Sequence, residues 1–319
     1  MNVLSSKFIE EKILDNYVEF QYLFLEFQSK FLSGLHTRYQ SVENGNLVLY
    51  FAKQTHQEIL RLRDYDLNFN ISYEKFWENH SQINNKRLAI TRIAEDTLLP
   101  KETARRKILQ LIKQKVLNKK NKNIGWLPNN QYKQSYNLLI KNEIDDVCKL
   151  IGFIYRKADL SISNEEVAKE IKEKFSFYWF HYLGAQLEYL RLWSKQFKDL
   201  ELILIMLQIL YLVTAKVKKK NLSHKNIYDN PNLLQEFVSA SISATSIAEV
   251  TGMPRATCVR KLDILVKMKM IEQDKISKRY YVIPRAISEN LISQKITEKV
   301  IKTFSNFFFI CIKAINTKT

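Results

Sequence analysis

Two short stretches of the chain carry the same hydrophobic stripe. Ala104, Ile108, Leu111 and Ile112 recur at spacings of four, three and one, and Cys258, Leu262, Leu265 and Val266 repeat that pattern. Such spacing places one apolar face along each of two helices. Further helical periodicity runs through residues 17–31 and 182–197, and helical segments are expected around residues 5–80, 140–215 and 287–315. Each striped helix is followed by a charged, turn-prone segment, residues 118–123 or 272–279. Beyond it comes a short β-prone run, Ile124-Gly125-Trp126-Leu127 or Tyr280-Tyr281-Val282-Ile283. Two hairpins are predicted there. Six glycines and five prolines in 319 residues leave little material for the turns of a sandwich or barrel, so the fold class is mainly α with small β hairpins.

The stripes belong to an internal repeat. Residues 93–117 align without gaps on residues 247–271 at an offset of 154, reading IAEDTLLPKETARRKILQLIKQKVL against IAEVTGMPRATCVRKLDILVKMKMI. Identical pairs include Ile93/Ile247, Thr97/Thr251, Pro100/Pro254, Thr103/Thr257, Arg106/Arg260, Lys107/Lys261, Leu111/Leu265 and Lys115/Lys269. After a change of two residues in spacing, Trp126-Leu127-Pro128 corresponds to Val282-Ile283-Pro284, which makes the differing segment a loop.

Within each copy a short helix is expected to begin at a Thr91 or Thr245 N-cap and to stop at Thr97-Leu98-Leu99 or Thr251-Gly252-Met253. Pro100 and Pro254 can then take the first position of a second helix, where a missing N–H is harmless, and that helix runs to Leu117 or Ile271. With the stripe turned inward, Lys101, Thr103, Arg106 and Lys107 face outward in the first copy, as Arg255, Thr257, Arg260 and Lys261 do in the second. Arg105 and Gln110 complete the candidate contact set on the first helix, and Lys119, Lys120, Lys122, Lys275, Lys278 and Arg279 supply it on the hairpins.

Charge gives these faces a partner. Lys and Arg outnumber Asp and Glu by 50 to 33, a formal charge of +17 that attracts polyanions. A lysine-rich composition with merely solvated basic surfaces is the competing explanation. Cys148, Cys258 and Cys311 are widely spaced and odd in number, so neither a disulfide framework nor a zinc site is expected. Residues 1–15 alternate charged and apolar positions and lack the core of a signal peptide, and a cytoplasmic protein is expected. The apolar run at residues 202–215 is too short to span a bilayer; a buried helix is expected and no membrane partner. His36, His56, His80, His181 and His224 show no metal-ligand spacing, and phosphate-cradling glycine loops are absent. No enzyme and no cofactor are expected.

Both copies resemble the winged helix-turn-helix of bacterial regulators of the MarR, IclR and GntR type, over about 50 residues each. The resemblance implies two winged helix-turn-helix units in tandem, embedded in helical segments, with residues 100–114 and 254–268 as recognition helices. It implies sequence-specific binding of double-stranded DNA and regulation of transcription, one chain acting as a pseudo-dimer on an imperfect palindrome. The linear division is then 1–80 helical, 81–132 first winged unit, 133–235 helical connection, 236–286 second winged unit and 287–319 C-terminal helix. The apolar helices also offer a surface for a homodimer. Glu102, Val259 and Asp263 depart from the family pattern by placing acidic or apolar groups where contacts are common. A replication initiator with tandem winged helices, and an adaptor whose winged helices meet protein, stay open as alternatives.

Overall fold

The computed structural model describes residues 4–83, 88–120, 123–219, 239–283 and 294–317. Helices dominate. They are α1 (Ser6–Asp15), α2 (Tyr17–Tyr39), α3 (Val42–Tyr65), α4 (Phe76–Ser81), α5 (Ile90–Thr97) and α6 (Lys101–Lys113), then the hairpin β1 (Leu117–Lys120) and β2 (Asn123–Trp126). Next come α7 (Asn130–Lys157), α8 (Asn164–Glu173), α9 (Phe175–Ser194), α10 (Leu200–Lys219), α11 (Ala244–Thr251) and α12 (Arg255–Lys267). A second hairpin, β3 (Ile271–Gln273) and β4 (Tyr280–Val282), and helix α13 (Gln294–Asn316) complete the described elements. Both sheets are two-stranded and antiparallel, with Leu117 opposite Trp126 and Ile271 opposite Val282.

The chain forms two compact units, and each draws on both repeats. Unit 1 comprises residues 1–10, 43–195 and 300–319; unit 2 comprises residues 11–42 and 196–299. In unit 2, α2 of the first repeat packs along α10 of the second. Tyr22 and Tyr211 share a hydroxyl–hydroxyl hydrogen bond of 3.0 Å, and Gln208 Nε2 donates to Ser29 Oγ at 2.7 Å. In unit 1 the exchange runs the other way. Helix α9 of the second repeat meets α3 of the first, with Lys53 Nζ 5.1 Å from the centre of the Phe180 ring and a Cβ on Gly184 only 3.5 Å from Lys53.

The two exchanged helices bury matching series of residues. Phe20, Phe24, Gln28, Phe31 and Leu32 are buried in α2, in the order and spacing in which Tyr178, Tyr182, Gln186, Tyr189 and Leu190 are buried in α9. Ile9 and Ile13 of α1 match Val167 and Ile171 of α8 in the same way. The duplication therefore reaches back to the first helix of each repeat, with Phe in one copy answered by Tyr in the other. An aromatic ring fills the same volume in either case, so the pattern survives where letter identity fades.

The apolar run lies within a longer helix than its own length suggests. With 20 residues, α10 is the described helix long and apolar enough to cross a membrane, which corrects the expectation that the run is too short. Of its apolar window, 61% is buried within the protein. Leu202, Ile203, Leu204, Ile205, Met206, Leu207 and Ile209 are all buried, as the sequence reading of this run expects.

Candidate nucleic-acid interface

Each copy builds the same local frame. Helix α5 packs Ile93 and Ala94 inward, and α11 packs Ala244 and Ile247. The buried hydroxyls of Thr97 and Thr251 both donate to the carbonyl four residues back, each at 2.6 Å. The first helix starts two residues earlier than expected in each copy: Ala89 precedes α5 without a side-chain cap, whereas Ser243 caps α11 by accepting the Ser246 N–H at 3.0 Å. Thr91 and Thr245 therefore sit inside the first turn.

Left-handed backbone ends both helices, at Leu98 (φ 54°) and at Gly252 (φ 72°). Pro100 and Pro254 then stand as N-caps rather than as first helical residues, with ψ of 137° and 136°. Their carbonyls accept the N–H of Ala104 and Cys258 at 2.9 and 3.0 Å, the first bond of each following helix. The second helices also stop four residues short of the expected Leu117 and Ile271. Lys115 and Lys269 are left-handed (φ 59° and 58°), and Val116 and Met270 bond back to Leu111 and Leu265. That double closure is a Schellman motif, and it releases Leu117 and Ile271 to open the hairpins.

Helices α6 and α12 bury three of the four stripe residues each, Ala104, Ile108 and Leu111 in one and Cys258, Leu262 and Leu265 in the other, while Ile112 and Val266 at the stripe's edge are half-buried. Lys101, Arg105, Arg106 and Gln110 are exposed on α6 and Thr103 is half-buried; on α12, Arg255 and Arg260 are exposed and Thr257 is half-buried. Lys119 and Lys120 are exposed on β1, and Lys275, Lys278 and Arg279 on the second hairpin; Lys122 lies outside the described residues. Several of these cations are engaged. Arg105 pairs with Glu102 at 3.4 Å, Arg255 Nε donates to Thr245 Oγ1 at 3.2 Å, and the Arg279 guanidinium donates to the Ser241 carbonyl at 2.9 and 3.2 Å. Exposed Lys113, Lys115, Lys267 and Lys269 extend the basic ends of both helices. All four belong to identical pairs of the repeat, Lys113/Lys267 and Lys115/Lys269, a signal that the sequence-based contact set overlooked.

Lys107 and Lys261 are corrected. Neither joins the exposed face. Lys261 is 6% exposed, and its ammonium pairs with Asp199 and, at 2.8 Å, with Glu201. Burial works against its charge, but the hydrogen bonds and coulombic pull of the two carboxylates outweigh it and raise the pKa. Lys107 reaches Glu43 Oε2 at 3.1 Å and Asn44 Oδ1 at 3.3 Å. Glu43 and Glu201 each occupy the first turn of the helix beneath, α3 or α10. The identity of this lysine in both copies thus reflects a shared internal anchor, which helical spacing alone cannot distinguish from an outward cation.

The anchors have different neighbours. In unit 2, His36 Nε2 lies 3.6 Å from Glu201, and burial lowers the His36 pKa despite that carboxylate. In unit 1 the first hairpin rests on an aromatic cluster. His80 Nε2–H donates to the Trp126 carbonyl at 2.6 Å, and the Trp126 ring lies 5.6 Å from Trp77 and 4.8 Å from Tyr136.

Among the described residues no group of three or more His, Cys, Asp or Glu side chains could hold a metal ion. The three cysteines are buried and unbridged, and burial pushes the Cys148 thiol up to about 12. Comparison of the chain with models of known protein families, with curated proteins and with solved structures found no match.

Proposed function

We propose that the protein binds double-stranded DNA sequence-specifically through two winged helix-turn-helix units carried on one chain, and that it acts as a regulator of transcription. The observation that supports this reading is the repetition of one frame with one outward chemistry. In both copies a short helix, a left-handed turn and a proline-capped helix lead into a basic hairpin. In both copies the exposed arginine at the same position, Arg106 or Arg260, stands beside a half-buried threonine. In a winged helix-turn-helix, α6 and α12 are the recognition helices and the hairpins are the wings.

Arg106 and Arg260 are the base-reading residues in this proposal, because a guanidinium presents paired donors that suit the N7 and O6 of guanine. Lys101, Lys119, Lys120, Lys275 and Lys278 contact phosphates, where point charges release counterions without reading sequence. Lys107 and Lys261 hold the helices in place and touch no DNA. The test is selection from a random duplex pool at several salt concentrations. Enrichment of a motif with two separable half-sites, with affinity falling steeply as salt rises, supports the proposal; retention without enrichment at any salt refutes it.

A further inference from the structure

The second hairpin ends in a residue that its fold has no use for. Ile276 is 93% exposed, the most exposed large apolar side chain among the described residues. Turn tips favour Gly, Asn, Asp, Ser and Pro, and a β-branched side chain gains nothing at such a position. All its neighbours on the loop are polar: Asp274, Lys275, Ser277, Lys278 and Arg279.

The tip is also built to hold its shape. Asp274 N–H donates to the Arg279 carbonyl at 2.8 Å, Lys278 N–H to the Asp274 carbonyl at 3.0 Å, and Ser277 N–H to Asp274 Oδ1 at 2.6 Å. Lys278 takes the left-handed backbone that closes the turn (φ 56°), and Gln273 Nε2 donates to its carbonyl at 3.2 Å. Below the tip, Arg279 clamps the hairpin to the Ser241 carbonyl, and an isolated bridge joins Tyr280 to Ile242. The one acid of the loop, Asp274, is taken up by hydrogen bonds from Ser277, which hold its carboxyl below the usual range. The result is an apolar point flanked by two exposed lysines on a hydrogen-bonded loop.

That combination fits one surface of the DNA duplex. The phosphate rims of the minor groove attract cations, while the groove walls and floor are sugar and base edges. Proteins that enter the minor groove often drive an aliphatic side chain between base steps there. A loop serving phosphate contact alone would carry only polar residues, as the sequence of the first hairpin does between Lys119 and Asn123.

Building on the DNA-binding reading above, we propose that Ile276 is a minor-groove wedge: it enters the groove between phosphates held by Lys275 and Lys278, partly unstacks one base step and bends the duplex. The two half-sites then differ in kind, one touched by a polar wing and the other opened by an apolar one.

The test uses the full chain and a selected duplex labelled at its ends for energy transfer, with 2-aminopurine placed at successive steps of one half-site. The wild type is expected to brighten 2-aminopurine at a single step and to shorten the end-to-end distance. Ile276→Ser, at a position too exposed to affect folding, should abolish both signals and weaken binding about tenfold. Ile276→Leu should keep them. Unstacking and bending that persist in Ile276→Ser overturn the wedge while leaving the DNA-binding reading intact; a wild-type chain that binds no duplex overturns both.

Discussion

In the first copy, the inner strand of the hairpin ends at Trp126, wedged among Trp77, His80 and Tyr136; in the second, the matching place is held by Val282, and the hairpin is braced by Arg279 on Ser241 instead. Beneath the hairpins the two copies agree closely. Both bury the same stripe, both end the second helix on a left-handed lysine, and both tie it to a glutamate on the helix below. Duplicated units keep the parts that hold the second helix and diverge in how they support the parts that meet solvent. Shape complementarity within a core tolerates few changes, whereas hairpins and exposed faces tolerate many.

The largest difference between the copies should come from breaking the anchors. Lys261→Met leaves Asp199 and Glu201 facing each other without their cation and should destabilise unit 2 by about 3 kcal/mol. Lys107→Met, at a more open site, should lose roughly 1 kcal/mol or less. Urea unfolding followed by hydrogen exchange on α12 and α6 resolves the two. Equal losses would show that the anchors differ less than their burial implies.

A smaller effect lies at the turns. Gly252→Ala puts a Cβ on left-handed backbone and brings it to 2.8 Å from Thr37 Oγ1, so a loss of about 1–2 kcal/mol is expected. The first copy already carries that strain at Leu98, and Leu98→Gly should return up to about 1 kcal/mol there. Thermal unfolding of both variants should move in opposite directions; a stabilised Gly252→Ala would contradict this account.

Acid sharpens the contrast. Burial lowers the His56 pKa to about 3 and that of His80 to about 4, and both histidines lie in unit 1. Their unfolded value is near 6.5, so the unfolded chain takes up protons first as pH falls. The stability these neutral rings confer is therefore whole above about pH 6.5. It drains away toward pH 4 and then pH 3, at up to roughly 1.4 kcal/mol per pH unit for each ring. All four tryptophans also lie in unit 1, so their fluorescence reports this loss directly. His56→Phe should flatten the pH dependence of tryptophan-detected unfolding, and an unchanged slope would assign it to other groups.

Much of the frame was legible in the residues. The striped helices, the intervening turn, the hairpins and the two-residue difference between their loops all follow from spacing, because periodicity encodes which side faces inward. Two kinds of feature were hidden. Lys107 and Lys261 read as outward cations, since a lysine at the edge of a stripe can turn either way and its choice depends on a glutamate far away in sequence. The exchange of α2 and α9 between the units was also invisible, because a helix buries the same stripe whichever partner receives it. Ile276 was overlooked for a simpler reason: an isolated apolar residue in a charged loop leaves no periodic mark.

The most direct test of the central claim is hydroxyl-radical footprinting of the full chain on a duplex selected for binding, repeated with Arg106→Ala and with Arg260→Ala. The account requires two protected tracts for the wild type, with each variant erasing one tract and weakening binding by about 10-fold to 100-fold. A single tract indifferent to one of the arginines, or protection unchanged in both variants, would contradict it.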